Sequence, residues 1–463
     1  MHSAVTSPAP DWLVVPDDAN DLVPAVWPAS VARTSEGELS IGGIAAGALV
    51  REYGTPLQVL DEGEVRRRAA ATRSAFDAAA EEHGTTARVY YAGKALLNTT
   101  IVRWVMDEGL NVDVCTGGEL EVALAAGADA GRLGFHGNNK STAELERAVE
   151  VGVGTIIIDS ALEIERLAAI VSRTGTMQRV MLRVNSGVHA ETHDFLATAH
   201  EDQKFGTPLD AAAALVARIR EIDGLAFVGL HCHIGSQIFG VAGFRESAGR
   251  VLDLHEQLLA GGDVPQLNLG GGFGIAYTRA DTPEAIETLA QGIVAAVAEG
   301  CAARGIRIPA LSFEPGRAIV GNAGVTLYEV GTIKDVTLEN GSRRYMSVDG
   351  GMSDNARPAL YGAQFSARLA SRQGAGEPVL VRVVGKHCES GDIVVDHEYL
   401  PDDVVPGDLL AVPATGAYCA PLSSNYNHVP RPPIVAVHDG ASRVIVRGET
   451  IADLLGRDAG IER

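Results

Sequence analysis

Four places along the chain carry side chains that could do chemistry together. Lys94 follows the apolar run Arg88–Tyr91 and precedes Ala95-Leu96-Leu97. A lysine desolvated in such a position becomes a neutral amine able to form an imine, and the plain alternative is a salt bridge at a rim. The string His231-Cys232-His233-Ile234-Gly235-Ser236 sets two imidazoles two residues apart, on one face if the backbone is extended. Such a pair can ligate a metal, but no nearby Asp, Glu or Cys supplies an obvious third ligand, so no metal is expected. A flat imidazole can instead stack on an aromatic ligand, while Gly235 and Ser236 offer an amide and a hydroxyl to an anion. Gly270-Gly271-Gly272 lets backbone N–H groups converge on a phosphate, the alternative being a glycine turn without a ligand. It is not the dinucleotide-binding fingerprint, whose Gly-x-Gly-x-x-Gly spacing it matches poorly. Glu314-Pro315-Gly316-Arg317 ends another apolar run, and a buried glutamate is costly unless paired. Its partner is either Arg317 or a protonated ring nitrogen. An imine-forming lysine, a stacking histidine, a phosphate turn and a carboxylate for a pyridinium have one economical common explanation, pyridoxal 5′-phosphate.

These residues need a frame that brings them together. Eight short β-like runs recur between residues 88 and 313: Arg88–Tyr91, Asn111–Val114, Arg132–Phe135, Thr155–Ile158, Arg179–Val184, Leu225–Leu230, Gln266–Leu269 and Ala310–Phe313. Helix-length segments such as Ser141–Val151, Ala161–Ser172, Pro208–Ile222 and Pro283–Arg304 lie between them. The alternation predicts right-handed βαβ units, and eight of them predict a closed (β/α)8 barrel rather than an open doubly wound sheet. In that barrel, active sites form at the C-terminal ends of the strands. Lys94, His231, His233, Gly270–Gly272 and Glu314 all follow predicted strands. So do Asp113 and Cys115, His136, Asp159 and Arg183; Thr116 and Ser160 read as helix caps.

Beyond Gly316 the texture changes. Runs at Val325–Val330, Tyr345–Val348, Val379–Val384, Leu409–Val412, Ile434–Val437 and Val444–Arg447 are separated by turn residues, predicting a mostly antiparallel barrel or sandwich that ends in a short helix, Ile451–Leu455. The division expected is an N-terminal arm over 1–40, a linking segment over 41–60, the α/β barrel over 61–318 and the β-domain over 319–463. The arm, with five prolines and Trp12 and Trp27, is expected to be loose except at its tryptophans.

Composition narrows the function classes. The chain has 463 residues with 38 Lys plus Arg against 59 Asp plus Glu, a formal net charge of −21. That balance opposes nucleic acid and anionic membrane surfaces as partners. The five cysteines (Cys115, Cys232, Cys301, Cys388, Cys419) are scattered, with no Cys-x-x-Cys pair, which argues against a disulfide framework or a zinc cluster. No signal segment is read and no apolar run approaches the ~18 residues of a membrane span, so a cytoplasmic location is expected.

Tyr91-Ala92-Gly93-Lys94, His231 to Ser236, Gly270-Gly271-Gly272, Glu314-Pro315-Gly316-Arg317 and Cys388-Glu389-Ser390-Gly391-Asp392 together resemble the fold-type III pyridoxal-phosphate decarboxylases, in the family's order from about residue 22 to 460. The resemblance implies an alanine-racemase-like barrel, with the segment near residues 40–60 joining the β-domain. It implies that Lys94 carries the cofactor as an imine, that His233 stacks on its ring, that Ser236, Gly272 and the Glu314–Arg317 turn contact it, and that Glu314 meets the ring nitrogen. It further implies that Cys388 is the proton donor, reaching the site of a partner subunit in a homodimer. Arg317, Arg357, Tyr361, Glu389 and Tyr418 would bind the amino-acid substrate, Tyr418 also touching the cofactor. Two arginines are excessive for a diamine but suit a substrate with a distal carboxylate, leaving Glu389 for its distal ammonium. An ornithine- or arginine-type decarboxylase and an inactive cofactor-binding regulator are the competing expectations. For Cys388 the plain alternative is a small buried apolar residue.

Overall fold

The computed structural model describes residues 8–188 and 204–461. The chain divides into two units, one of Arg66–Gly274 with Pro283–Ile319, the other of Met1–Val65, Ile275–Thr282 and Val320–Arg463.

In the first unit the apolar runs form eight strands: β1 (Ala87–Ala92), β2 (Asn111–Val114), β3 (Leu133–Phe135), β4 (Thr155–Ile158), β5 (Gln178–Asn185), β6 (Leu225–His231), β7 (Gln266–Asn268) and β8 (Ala310–Phe313). Every neighbouring pair is parallel, and β8 pairs with β1 while β4 pairs with β5, so the sheet closes. Strands covered on both faces need no polar alternation, which is why Thr155-Ile156-Ile157-Ile158 is buried throughout. The helices between them bury one stripe each. In Ala161–Thr174 that stripe is Ile164, Leu167, Ile170 and Val171. Starts are encoded locally: Asn98 accepts from the amides of Thr100 and Ile101, Thr116 caps its helix as expected, and Ser141 with Glu144 forms a capping box. Ser160 holds the capping position without a side-chain bond, and Asp159 instead accepts from the Gly206 amide at 3.1 Å. One helix, Ile286–Arg304, is long and apolar enough by length and composition to cross a membrane. Its Leu289, Ile293, Val294 and Val297 are buried; the expectation that no apolar stretch approaches membrane-spanning length is corrected here, by length and composition alone.

The second unit is a sheet built around a strand from the N-terminal part of the chain. Leu57–Asp61 lies antiparallel to Gly324–Leu338 and parallel to Ile434–His438. The remaining order runs Ile393–Pro401, Pro378–Val384, Gly341–Val348 and Gly324–Leu338 on one side, with Ala441–Val446 outside Ile434–His438. Most pairings are antiparallel; Gly341–Val348 with Pro378–Val384 is a second parallel one. The arm is anchored at its tryptophans, as expected, and is ordered beyond them as well. Val26 and Trp27 are buried in a core with Leu39, Ile41, Leu57, Val325 and Val435, and a three-stranded sheet forms from Ala32–Arg33, Leu39–Ile41 and Ile44–Ala45. Trp12 packs on Leu13, Leu380 and Tyr399. Residues 1–7 of the arm lie outside the described residues.

Candidate active site

The barrel places the expected polar residues at the ends of its strands. Lys94 stands in a single 3-10 turn, Gly93–Ala95, directly after β1, and its side chain is exposed. Two bonds fix that turn: the Tyr91 hydroxyl donates to Leu96 O at 2.7 Å, and the Ala92 amide donates to Pro315 O at 3.0 Å. The lysine end of β1 is thus tied to the Glu314–Pro315 turn after β8.

Glu314 is the hub. Asn268 Nδ2 donates to its Oε1 at 2.7 Å, His231 Nε2 lies 3.1 Å from Oε1, and His136 Nε2 lies 3.4 Å from Oε1 and 3.1 Å from Asp113 Oδ1. Burial pushes both His136 and His231 down to about 4, so the rings are neutral; His231 bonds Glu314 Oε2 through Nε2 at 3.3 Å, while His136 Nε2 has no hydrogen-bond partner among the described residues. Burial by itself raises a carboxyl, but the nitrogens gathered on Glu314 outweigh it and hold this one well below the usual range. Asp113 goes the other way: burial, then the charge on Glu314, raises it far above its ordinary value. The two neighbouring carboxyls are thus pushed in opposite directions, Glu314 toward its charged form and Asp113 toward its neutral one.

His231 and His233 do not act as a pair. His231 ends β6 and faces Glu314, whereas His233 lies beyond the strand and accepts from the Gly271 amide through Nδ1 at 3.3 Å. Burial, reinforced by the Lys94 ammonium, keeps His233 neutral. The metal-capable geometry falls on a different set, without His233: one ligand atom each of His136, His231 and Glu314 lies within 4.8 Å of the others. The carboxylate of that metal-capable group is the one a ring nitrogen would use.

The glycine turn is also corrected. Two of its three amides are spent internally, Gly270 N on Asn268 Oδ1 at 2.8 Å and Gly271 N on His233, so the expected convergence on an anion narrows to Gly272. Close approach explains the glycines: Gly272 has φ +108°, and a Cβ there would sit 2.4 Å from Gly235 O. Beside the turn, Arg317 Nη2 donates to Ser236 Oγ at 2.8 Å, a cation and a hydroxyl at one spot. A ringed, phosphorylated cation fits this donor set: an ionised buried carboxylate, a neutral imidazole, and Ser236 with Arg317 beside a side-chain-free turn.

The second unit carries the other expected residues. Arg357 and Tyr361 share one short helix, Arg357–Tyr361. Arg357 is only 6% exposed, its guanidinium lies 4.7 Å from the Tyr277 ring and 5.4 Å from the Phe365 ring, and its Nη1 has no hydrogen-bond partner among the described residues. Tyr361 is 45% exposed. Cys388 is exposed, which removes the buried-apolar reading. Its amide donates to Asn427 Oδ1 at 3.1 Å, and the neighbouring Glu389 accepts from the Tyr426 hydroxyl at 3.4 Å. Asp392 staples this turn to the loop before Arg357, accepting from His387 N at 2.8 Å and Met352 N at 2.6 Å. Tyr418 is half-buried at φ +64°, a backbone state costly for a tyrosine.

Sequence reasoning passed over Asn268 altogether, reading it as part of an apolar run, and gave His136 little weight. The available signal was position alone, at the ends of β7 and β3.

Residues 62–321 match the family model for the pyridoxal-binding domain of pyridoxal-dependent decarboxylases. The diaminopimelate decarboxylase of Mycobacterium tuberculosis is 50% identical over 443 residues, covering 94% of this chain and 98% of that one. The Bacillus subtilis enzyme of the same name is 43% identical over 430 residues, covering 92% and 96%. The crystal structure of diaminopimelate decarboxylase from M. jannaschii in complex with L-lysine superposes with a TM-score of 0.86 at 31% identity, covering 93% and 98%. The chain belongs to the pyridoxal-dependent decarboxylase family. Among its relatives in that family, those described here are diaminopimelate decarboxylases.

Proposed function

We propose that the chain is a pyridoxal-phosphate-dependent carboxy-lyase that converts meso-diaminopimelate to L-lysine and CO2, the step that completes lysine biosynthesis. When bound, the cofactor supplies a protonated ring that accepts the electron pair left as the C–CO2 bond breaks. The chain's residues do the rest. Lys94 holds the cofactor covalently, and the neutral His233 ring covers its face. Ser236, Gly272 and Arg317 receive its phosphate, Tyr418 its edge, and Glu314 its ring nitrogen. Cys388 delivers the proton that replaces CO2, from the second chain of a homodimer. Glu389 takes the distal ammonium, and Arg317, Arg357 and Tyr361 take carboxylate. The family and the absence of a nucleic-acid-like charge balance support a small-molecule enzyme, and a cytoplasmic location is consistent with both.

The observation that carries the substrate reading is Arg357: a buried guanidinium clasped by two aromatic rings, with Nη1 lacking a hydrogen-bond partner among the described residues. A buried cation so held suits an incoming carboxylate, which ornithine and lysine lack at their distal ends. The test is release of CO2 and lysine in equal amounts from meso-diaminopimelate, with L-ornithine, L-arginine and L-lysine as competitors for turnover. Arg357→Met should raise KM for meso-diaminopimelate strongly. Unchanged kinetics in that variant, or faster turnover of ornithine by the wild type, would overturn the substrate assignment.

A further inference from the structure

Three consecutive barrel strands end in one row, with His231 of β6 level with Asn268 of β7 and Asn268 level with Ser312 of β8, two residues before Glu314. The row converges on one carboxylate and holds each of its two oxygens once. Asn268 Nδ2 donates to Oε1 at 2.7 Å and His231 Nε2 bonds Oε2 at 3.3 Å, while His136 Nε2, 3.4 Å from Oε1, makes no hydrogen bond among the described residues. A carboxylate offers about four acceptor positions, so a carboxylate gripped at both oxygens still has room to accept an N–H from a ligand.

Each donor is itself fixed. Asn268 Oδ1 accepts the Gly270 amide, so the side chain cannot flip its NH2 away from Glu314 without placing like atoms together at both ends. His231 Nδ1 is buried with no hydrogen-bond partner among the described residues. The ring therefore spends its one polar bond on Glu314, an arrangement that costs stability and that packing alone does not explain.

We propose that Asn268 and His231 are positioning residues that clamp the two oxygens of Glu314, one each, and so hold its carboxylate in place for the ring nitrogen of the cofactor. This rests on the reading that Glu314 meets that nitrogen. The clamp matters only for a ligand whose ring carries an N–H. A cofactor analogue with C–H in place of the ring nitrogen is then the discriminating probe, because it keeps the aldehyde, the ring and the phosphate.

The experiment measures dissociation constants of pyridoxal 5′-phosphate and of this carbocyclic analogue for the apo form of the full chain, by absorbance or fluorescence, with no turnover required. Wild type should prefer the true cofactor. Asn268→Ala and His231→Phe should each lose roughly tenfold of that preference, the scale of one hydrogen bond to a charged group. Binding of the analogue should hold within about twofold, since no bond to its ring position is lost. Asn268→Asp, which keeps the shape and replaces the donor by a second negative group, should lose the preference too. His231→Gln, whose amide restores a donor, should recover most of it. Equal weakening of both ligands in these variants would make the residues merely structural and overturn the clamp. Glu314→Gln is the separate control. If it keeps the wild-type preference, the ring-nitrogen reading itself falls and the clamp falls with it; if it abolishes the preference while Asn268→Asp and His231→Phe do not, only the clamp falls.

Discussion

Lys94 and Glu314 illustrate how one side chain's chemistry is set by where a strand stops. Lys94 belongs to a three-residue turn whose backbone is tied at both ends, so its amine is offered from a fixed point after β1. Lys94→Ala should leave the fold intact and abolish borohydride-trappable cofactor, measured by mass spectrometry of the reduced protein. Trapped cofactor surviving in the variant would remove Lys94 from its proposed role. Glu314 is ionised in a place where burial opposes ionisation, and only its nitrogen neighbours make that possible. Glu314→Gln keeps the shape and deletes the charge. Loss of a preorganised electrostatic partner is worth roughly 10²–10³ in kcat, so a variant turning over at the wild-type rate would contradict the pyridinium role. Lys94, His231 and Glu314 stand out in the sequence as candidates because each departs in type from the apolar run it follows. Asn268 does not, because its importance lies in touching a side chain 46 residues away, and no local pattern announces such a contact.

At the scale of elements, the eight barrel strands were readable because strands buried on both faces write themselves as apolar runs. Ile393–Pro401 was not readable as a strand, because Asp396, His397 and Glu398 interrupt it; Glu398 is buried there against Arg368 at 2.8 Å. The arm is ordered beyond its tryptophans because Val26, beside Trp27, finds a core that only the distant strands Gly324–Leu338 and Ile434–His438 complete. The loop that leads to Arg357 depends on a second kind of polar burial. Asp354 accepts from the Tyr328 hydroxyl and from Gly351 N, yet burial still pushes its carboxyl up to about 7 from an ordinary 3.8. The folded chain therefore binds a proton more tightly than the unfolded chain. The associated stability is complete below about 3.8 and is lost as pH rises through about 7. Asp354→Asn removes the titration. Relative to that variant, the wild type should lose about 2–3 kcal/mol between pH 5 and pH 8, read from paired denaturant melts. A wild-type-minus-variant difference that stays flat across that range would show that Asp354 is ionised throughout.

For the whole molecule, the question is how many chains one active site needs. Lys94, His233 and Glu314 belong to one unit of the chain and Arg357, Cys388 and Glu389 to the other. The thiol of Cys388 and the carboxylate of Glu389 are exposed on a turn held by Asp392 and Asn427, so they are presented outward rather than folded into their own unit's core. An outward-facing acid group on a rigid turn suits delivery to a second chain, and a two-fold dimer would then carry two equivalent sites, each with Lys94 from one chain and Cys388 from the other. Lys94→Ala and Cys388→Ala homodimers should each be inactive. Mixed in equal amounts under conditions that exchange subunits, half of the dimers become heterodimers, and each heterodimer has one site with both defects and one with neither. About a quarter of wild-type activity should return by this symmetry argument. Subunit exchange is followed independently by native mass spectrometry, so a silent mixture is interpretable. Exchange without recovered activity would mean that Lys94 and Cys388 act within the same chain, and the shared-site dimer would be wrong even with the decarboxylase chemistry intact.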